Sequence, residues 1–449
     1  MKEYSEGLDV FEERRIGLEQ EFFLVDAGGV LSNRADEFLA RYRAEGGATG
    51  RDPEAFGAEC APCMVEMDVP PAYSLTELSR EYLDRVELAL RAGRELGLRL
   101  YPLATYPLDM EVRIRDELDY RIQARTVGRR RFAYAGRCTG THLHLEVAPG
   151  TIDPASAVSH RASKDAQEEL LNLYNLATAL DAAVVALTRS CPYHAGRAYG
   201  LATRTALYRG DPDLAPHGLY ACFEEVGGLR PYAGSVEELV RLQFSRYRAW
   251  LGAMDRAGVD RQLFFETGGG LLSGSSWNPV RLNPQGTVEL RGLDSNYPER
   301  LLAVVALVSD AAERVRRERL AVLPHGDARA FEVIGETLLV PGFEYLSGEL
   351  FRAAITKGTE SERVVSYLDS VLEFASGGEE TGFEGLKAEG RYRTTEAAIR
   401  RSFPPGASGR LSEERGLKLV REACDEFEKQ VASLRLKGMA ATKVRGDGD

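Results

Sequence analysis

Apolar and polar residues alternate with a period of two in four separate stretches of the chain, which predicts four β-strands. The first runs from Arg15 to Asp26, and two others lie within residues 140–147 and 286–294. The remaining stretch lies within residues 59–69, where Pro62 is expected to interrupt the hydrogen-bond ladder. In each stretch one face is apolar and the other carries polar or charged side chains. The pattern therefore predicts strands that cover a core on one side only.

The sequence between and after these strands has the spacing of amphipathic helices, predicted over residues 74–97, 153–189, 235–256 and 301–320. Ser74 and Glu77 form a capping box at the first of these helices. Asp153 followed by Pro154 predicts the start of the second. From about residue 331 onward the pattern is helical, and residues 442–449 are expected to be a disordered tail. Strands mixed with helices in this way predict an α+β fold.

Length and charge restrict the class of protein. The chain has 449 residues with 44% hydrophobic and 28% charged residues, as in a globular protein of one large domain or two to three average ones. Its net charge of −12 argues against a general nucleic-acid binder. We find no apolar run near the roughly 18 residues that a membrane span needs, and no signal peptide. We therefore expect a cytoplasmic protein that attracts an anionic substrate through local arginines and metal ions.

Cysteine usage indicates no disulfide framework or zinc site. The six cysteines are spread along the chain, and the Cys60-x-x-Cys63 motif has no second CxxC partner. We interpret these cysteines as buried free thiols with no catalytic role, and a redox pair at Cys60 and Cys63 is the alternative.

The polar faces of the four strands carry side chains that bind metal ions and phosphates. Two carboxylates side by side on an apolar strand repel each other unless a cation lies between them. Two histidines in register favour a ligand or phosphate contact. An arginine two residues after a glutamate suits a metal-bound polyphosphate, and a surface ion pair is the alternative. The residues concerned are Glu19, Glu21, Glu59, Glu66, His142, His144, Thr287, Glu289 and Arg291.

If these four faces converge, they form a funnel lined by acids that requires cations. Two or three Mg²⁺ ions carrying the phosphates of ATP would meet that requirement. The sequence contains no Gly-x₄-Gly-Lys-Ser/Thr motif, so a P-loop does not hold the nucleotide.

Three of these motifs resemble, in the same chain order, the signatures of the glutamate–cysteine ligase family, the GCS2-type carboxylate–amine ligases. They are Gly17-Leu-Glu-Gln-Glu21, Gly140-Thr-His-Leu-His144 and Gly286-Thr-Val-Glu-Leu-Arg-Gly-Leu-Asp294. The turn Ser190-Cys-Pro-Tyr193 is similar to that family's Ser-x-Pro-Phe turn, with tyrosine in place of phenylalanine. The resemblance covers about residues 14–310.

The resemblance implies an antiparallel sheet bent into a funnel and flanked by helices, as in the catalytic domains of glutamine synthetase and guanidino kinases. A catalytic domain over residues 1–330 would be followed by a helical region over 331–441 packed on it. The resemblance also implies an ATP- and Mg²⁺-dependent reaction, with Mn²⁺ as the other ion considered. The γ-carboxylate of glutamate would become an acyl phosphate, and the amine of cysteine would attack it to give γ-glutamylcysteine, a step of glutathione biosynthesis.

The resemblance also implies roles for individual residues. Arg291, Glu289 and His142 would be catalytic, and Arg291, His144 and Thr287 would contact ATP. The metal ligands would be Glu19, Glu21, Glu59, Glu66, His142 and Glu289. Glutamate carries an α-carboxylate that needs a cation, for which Arg204 is the first candidate and Arg197 and Arg137 are the others.

Three other functions stay open at this point. A ligase of the same chemistry with another amine, such as an amino acid or polyamine, shares all of these motifs. A non-enzymatic regulator would bind ATP and Mg²⁺ without releasing ADP. A metallohydrolase is suggested by His142-x-His144 but lacks further histidines in strand-end motifs. The expected partners are small molecules, with no nucleic acid and no membrane, and a homo-oligomer is left open.

Overall fold

The structure is a computed structural model that describes residues 14–211, 213–377 and 381–446, with side chains as far as Lys437. The strands are β1 (Ile16–Asp26), β2 (Phe56–Ala58), β3 (Met64–Ala72), β4 (Leu98–Tyr101), β5 (Gly140–Glu146), β6 (Ile152–Asp153), β7 (Ala157–Val158), β8 (Tyr193–His194), β9 (Arg197–Ala198), β10 (Val280–Asn283), β11 (Thr287–Asp294), β12 (Ala321–His325), β13 (Glu332–Ile334), β14 (Thr337–Pro341), β15 (Lys387–Ala388) and β16 (Arg391–Tyr392).

The helices surround the main sheet and make up most of the carboxyl-terminal part. They are α1 (Ala35–Thr49), α2 (Leu75–Leu96), α3 (Leu118–Val127), α4 (Arg129–Phe132), α5 (Lys164–Thr188), α6 (Thr203–Arg209), α7 (Glu224–Gly227), α8 (Val236–Arg256), α9 (Arg261–Phe264), α10 (Pro298–Arg317), α11 (Phe343–Tyr345), α12 (Phe351–Thr356), α13 (Glu362–Ser376), α14 (Thr395–Ser402) and α15 (Glu413–Gly446). The predicted α+β class with a helical carboxyl-terminal region is confirmed.

The main sheet is antiparallel and brings the four predicted strands next to one another. Its order is β10-β11-β5-β1-β3-β2, and β4 pairs with the far half of β1. In this register Glu19 lies opposite His142 on β5, and Glu289 on β11 lies opposite His144. Because side chains on one face recur every second residue, the polar residues of four distant segments share one face of the sheet.

The other face of the sheet is covered by the core that includes α2, α5 and α10. Gln20 is the polar residue on this face of β1, and its amide is fully hydrogen-bonded. Its Oε1 accepts from the hydroxyl of Tyr82 at 2.8 Å, and its Nε2 donates to the backbone carbonyl of Asn296 at 2.9 Å. A buried amide costs little when both of its ends are paired in this way.

The predicted helix start at Asp153 is wrong, because α5 begins at Lys164 with Ser163 as its N-cap. The carboxylate of Asp153 instead accepts from the backbone N–H groups of Ala155 and Ser156 and closes the short β6–β7 hairpin. Asp-Pro pairs start turns as well as helices, and here the turn is formed.

Helix α5 is also long and apolar enough to cross a membrane by length and composition, which the sequence analysis did not anticipate. However, 89% of its most apolar window is buried inside the fold, as in a central core helix. The cytoplasmic location stays a prediction.

The capping box at Ser74 is confirmed. The Ser74 hydroxyl accepts from the Glu77 N–H at 3.2 Å, and the Glu77 carboxylate accepts from the N–H of Tyr73 at 3.2 Å. The same arrangement begins α8, where Ser235 accepts from the Glu238 N–H.

The carboxyl-terminal part does not start as a helix near residue 331. Strands β12, β14 and β13 form a small sheet over residues 321–341, and the helices follow it. Helix α15 packs on α2, β4 and α10 of the preceding part. It continues to Gly446, and residues 447–449 lie outside the described residues. The division of the chain at residues 330 and 441 stays a prediction.

Candidate functional site

His142 lies at the centre of a cluster of carboxylates on the polar face of the sheet. Its Nδ1 lies 2.8 Å from Glu19 Oε2, 3.8 Å from Glu66 Oε2 and 3.9 Å from Glu289 Oε1. Its Nε2 lies 3.6 Å from Glu21 Oε1. His142 is buried, and the burial and the charge of Arg291 lower its pKa to about 4. The imidazole is therefore neutral at pH 7 and offers a nitrogen lone pair rather than a charge.

The donor atoms of this cluster form three overlapping groups in which every atom lies within 4.8 Å of the others. The groups are Glu19 with Glu66 and His142, Glu19 with His144 and Glu289, and Glu21 with Glu59 and Glu66. Carboxylate oxygens with at most one imidazole per group are donors that suit Mg²⁺ or Mn²⁺. The structure thus gathers all six of the predicted metal-binding residues.

Glu289 is fully buried, and neighbouring groups of the protein neutralise it. Its Oε2 accepts from Arg281 Nε at 2.5 Å and from Asn283 Nδ2 at 2.6 Å, and its Oε1 accepts from Arg291 at 2.5 Å. Burial acts to raise the pKa of Glu289, but the charges of Arg281 and Arg291 outweigh it and hold the pKa well below its ordinary value. Glu289 is therefore ionised without any bound ion.

Glu19 is held in its ionised form by the two histidines. Burial acts to raise the pKa of Glu19, but hydrogen bonds from His142 and His144 outweigh it and lower the pKa. His144 Nε2 lies 3.1 Å from Glu19 Oε1, and His144 Nδ1 lies 3.0 Å from the hydroxyl of Thr287. The predicted pair of His144 and Thr287 thus borders the cluster on the β11 side.

Glu21, Glu59 and Glu66 lack such compensation. In the part of the chain that the structure describes, no arginine or lysine forms an ion pair with any of the three. Burial and the charge of Glu59 raise the pKa of Glu21 to about 8. Burial and the charges of Glu59 and Glu19 raise the pKa of Glu66 well above its ordinary value. Three half-buried acids that lack a direct ion pair with a basic side chain form a site that a divalent cation would stabilise.

The backbone orients two of these acids. The N–H of Gly140 donates to Glu21 Oε2 at 2.6 Å, and the N–H of Cys60 donates to Glu59 Oε2 at 2.9 Å. Each carboxylate is thus fixed in direction while its other oxygen remains available to a ligand.

A cavity of about 160 Å³ adjoins the uncompensated acids. Arg204 and Arg291 line it together with Glu21 and Glu59, and aromatic side chains complete its walls: Tyr120, Phe132, Tyr208, Tyr220 and Trp277. A concave site that combines aromatic walls with a few fixed charges is typical of small-molecule binding.

Arg204 is 6% exposed and lies at the wall of this cavity. Its guanidinium lies over the ring of Tyr208 at 5.5 Å and donates to the backbone carbonyl of Arg291 at 3.3 Å. A Cβ atom at Gly140 would lie 2.1 Å from Arg204 Nη2, so a larger residue at this position of β5 would displace the guanidinium. Among the described residues no carboxylate forms an ion pair with Arg204, which leaves its charge available to a ligand.

The structure does not bring the other two predicted arginines to the cavity. Arg197 is exposed because the β8–β9 hairpin turns it outward, where its backbone bridges to Arg410. Arg137 Nη1 lies 3.4 Å from His194 Nε2 and 3.9 Å from Asp109 Oδ1. Arg137 therefore lies outside the lining of the cavity.

Two thiols line the same cavity without the features of a nucleophile. Burial raises the pKa of Cys138 to about 12 and that of Cys60 well above its ordinary value. The described residues contain no disulfide, and Cys60 and Cys63 are both buried free thiols.

Sequence reasoning placed Arg291 beside Glu289 but missed its other partners, Arg281 and Asn283, and the aromatic walls. Arg281 faces Glu289 because residues 283–287 close a tight hairpin, and the turn sequence Asn283-Pro-Gln-Gly286 could have indicated that pairing. Tyr208 and Trp277 come from α6 and an irregular loop, and no spacing in the sequence indicates that they line the same cavity.

Residues 15–325 match the family described as glutamate-cysteine ligase family 2 (GCS2). The chain belongs to this family. Membership confirms the predicted family and the predicted class of enzyme, a carboxylate–amine ligase. No curated protein sequence matches the chain significantly.

Solved structures similar to this chain include a bifunctional glutathione synthetase from Pasteurella multocida. It is 14% identical with a TM-score of 0.52, and the alignment covers 93% of this chain and 52% of that one. The chain thus spans about half the length of that enzyme, and the likeness supports the fold. A glutamate–cysteine ligase from Francisella tularensis in complex with AMP is 12% identical with a TM-score of 0.43, covering 97% of this chain and 95% of that one. The second TM-score is too low to carry an argument.

Proposed function

We propose that the protein is an ATP- and Mg²⁺-dependent ligase that joins the γ-carboxylate of glutamate to the amine of cysteine through an acyl phosphate. The observation that carries the proposal is the group of half-buried acids without an ion-pair partner, Glu21, Glu59 and Glu66, beside a cavity that Arg204 and Arg291 line. The whole arrangement lies within the segment that matches the ligase family.

The acids would hold two or three divalent ions. Glu21, Glu59 and Glu66 would hold one ion, and the groups around Glu19 would hold the others. When bound, these ions supply positive charge that neutralises a polyphosphate and the acids together. The chain's own contribution is to fix the carboxylate directions, through the hydrogen bonds from Gly140 and Cys60.

Arg291 would contact the phosphoryl group that moves from ATP to the substrate carboxylate. Its guanidinium is held by Glu289, so its position is fixed before the substrate binds. A preorganised cation stabilises charge that develops on the transferred phosphoryl oxygens without a cost of reorganisation. His144 and Thr287, which are hydrogen-bonded to each other, would contact ATP at the same site.

Arg204 would bind the α-carboxylate of glutamate. It is buried, it lines the cavity, and no carboxylate of the described residues pairs with it. The γ-carboxylate of the same substrate would then point toward the acid cluster and Arg291. The acyl phosphate is the activated species, so the amine attacks it directly and phosphate leaves. No covalent intermediate with a cysteine is required.

Incubation with ATP, Mg²⁺, glutamate and cysteine, followed by mass detection, tests this proposal. We expect γ-glutamylcysteine and ADP in equal amounts. A ligase with a different amine is the second candidate, because the aromatic and charged side chains of the cavity walls do not select a thiol. An amine panel would then yield ADP with another amine and little with cysteine. ATP–Mg²⁺ binding without ADP from any amine would indicate a regulator and contradict the proposal.

A further inference from the structure

A second, larger groove of about 880 Å³ lies away from the acid cluster. Its walls are the start of α10, the β15–β16 hairpin, α14 and α15, and it shares no lining residue with the cavity beside Arg204. Most of its lining residues follow residue 325, beyond the segment that matches the family. The roles proposed above therefore leave this groove unexplained.

The acidic side chains of the groove already have basic partners. Each of them lies within 4 Å of its own arginine or lysine, in the pairs Glu389–Arg393 at 3.7 Å, Glu422–Lys418 at 3.6 Å, Asp425–Arg99 at 2.7 Å and Glu426–Lys429 at 3.2 Å. The negative charges of the groove are thus largely offset by the protein.

Three guanidinium groups of the groove are not offset. Arg300, Arg391 and Arg401 all line it, and within the described ranges none of them forms an ion pair with a carboxylate. Arg391 and Arg401 are exposed, whereas Nη1 of Arg300 is buried and has no hydrogen-bond partner. Burial lowers the pKa of Arg300 to about 10, with only Glu299 acting to raise it. Arg300 as a whole is half-buried, so its unpaired charge is poorly solvated, and an anion bound beside it in the groove would offset that cost.

The wall of the groove beside these arginines is fixed to the rest of the protein. Thr395 at the start of α14 donates to Asn296 Oδ1 at 2.7 Å. The next residue, Glu396, is fully buried and lies 3.6 Å from Arg189 in an ion pair. Helix α14 therefore holds its position without a ligand, and a fixed wall lowers the entropy cost of binding.

We propose that this groove binds a small anion that carries two or more phosphate or carboxylate groups, with Arg300 as its half-buried cation. Planar guanidinium groups match both kinds of anion through paired hydrogen bonds. The volume lies in the range of about 300–1,000 Å³ that is usual for small-molecule sites. The paired acids along the groove and the net charge of −12 disfavour a long polyanion such as nucleic acid.

The experiment is a thermal unfolding titration of the full chain, freed of metal ions over a chelating resin, with pyrophosphate, citrate or sodium chloride at matched ionic strength. We expect the unfolding midpoint to rise with the logarithm of pyrophosphate or citrate concentration, but not with chloride. A rise with pyrophosphate alone identifies a phosphate ligand, and a rise with citrate alone identifies a polycarboxylate. No rise with either anion would overturn the proposal.

Variants locate the bound anion. Arg300→Met should remove most of the rise without lowering the midpoint in anion-free buffer, because it removes an unpaired, half-buried charge. Arg241→Gln, which changes an exposed arginine on α8 outside the groove, should keep the full rise. A rise that persists in Arg300→Met would place the anion elsewhere and overturn the proposal. If Arg300→Met does not fold, the double variant Arg391→Gln/Arg401→Gln is measured in its place. It should also lose most of the rise in the unfolding midpoint, and a full rise in this variant would overturn the proposal.

Discussion

Arg281 and Glu289 face each other across the β10–β11 hairpin, with Arg281 Nε 2.5 Å from Glu289 Oε2. Together with Asn283 and Arg291, this contact neutralises the most buried acid of the cluster. Glu21, Glu59 and Glu66 on the other side of His142 have no such partner. The cluster therefore divides into a compensated half around Glu289 and a half, formed by Glu21, Glu59 and Glu66, that needs a cation.

Replacing Arg281 tests the compensated half. Arg281→Met leaves Glu289 Oε2 with Asn283 as its remaining donor, and we expect a loss of about 1–3 kcal/mol in the free energy of unfolding, measured with urea in EDTA. Arg43→Met is the matched control, because Arg43 and Glu54 form a pair whose side chains are 46% and 68% exposed. The control variant should lose less than about 1 kcal/mol in the free energy of unfolding. Equal stability of the two variants would contradict the structural role of Arg281.

Arg291→Lys keeps the positive charge and removes the planar fork. If Arg291 contacts the transferred phosphoryl group, we expect the rate of ADP formation to fall on the order of 10²-fold or more. Binding of ATP should change less than the rate. The measurement is steady-state ADP release at saturating substrates, and an unchanged rate would show that Arg291 has only a structural role.

Arg204→Met tests the proposed contact with the substrate α-carboxylate. We expect the KM for glutamate to rise by on the order of 10-fold or more, because a charge-assisted hydrogen bond is worth about 1.5–3 kcal/mol. The KM for ATP should change little. Arg137→Met serves as the control, since Arg137 lies beside His194 and does not line the cavity. An equal rise in the KM for glutamate in both variants would show that Arg204 does not bind the substrate.

The stabilisation by Mg²⁺ should depend on pH. The folded-state pKa of Glu21 is raised from 4.5 to about 8. In metal-free protein the protonated Glu21 therefore contributes its full stability below about pH 4.5. That contribution is lost as the pH rises to about 8. The pKa values of Glu59 and Glu66 are also raised, so these two acids likewise make the metal-free protein less stable as the pH rises. Mg²⁺ binds the ionised acids, so the difference in unfolding midpoint between Mg²⁺ and EDTA should increase from about pH 5 to about pH 8. A difference that stays constant over this range would contradict the assignment.

The period-two pattern was sufficient to predict which acids and histidines share a face, because side-chain direction in a strand depends on position alone. It therefore predicted that Glu19, His142 and Glu289 meet once their strands pair. It could not show that Arg281 neutralises Glu289, since that contact depends on the hairpin register. The Asp153 helix start failed because an Asp-Pro pair also forms a turn. Tyr208 on α6 and Trp277 in an irregular loop reach the same cavity only through tertiary packing, for which the sequence has no periodic signal.

The most direct test of the central claim is the unfolding midpoint of Glu66→Gln, measured near pH 8 in EDTA and again in Mg²⁺. Glu66 is one of the uncompensated acids, so we predict that the variant is more stable than the unchanged protein in EDTA and gains little from Mg²⁺. Glu289→Gln, in the compensated half, should instead be less stable in EDTA. If Glu66→Gln loses stability in EDTA and still gains the full Mg²⁺ shift, these acids do not form a cation site.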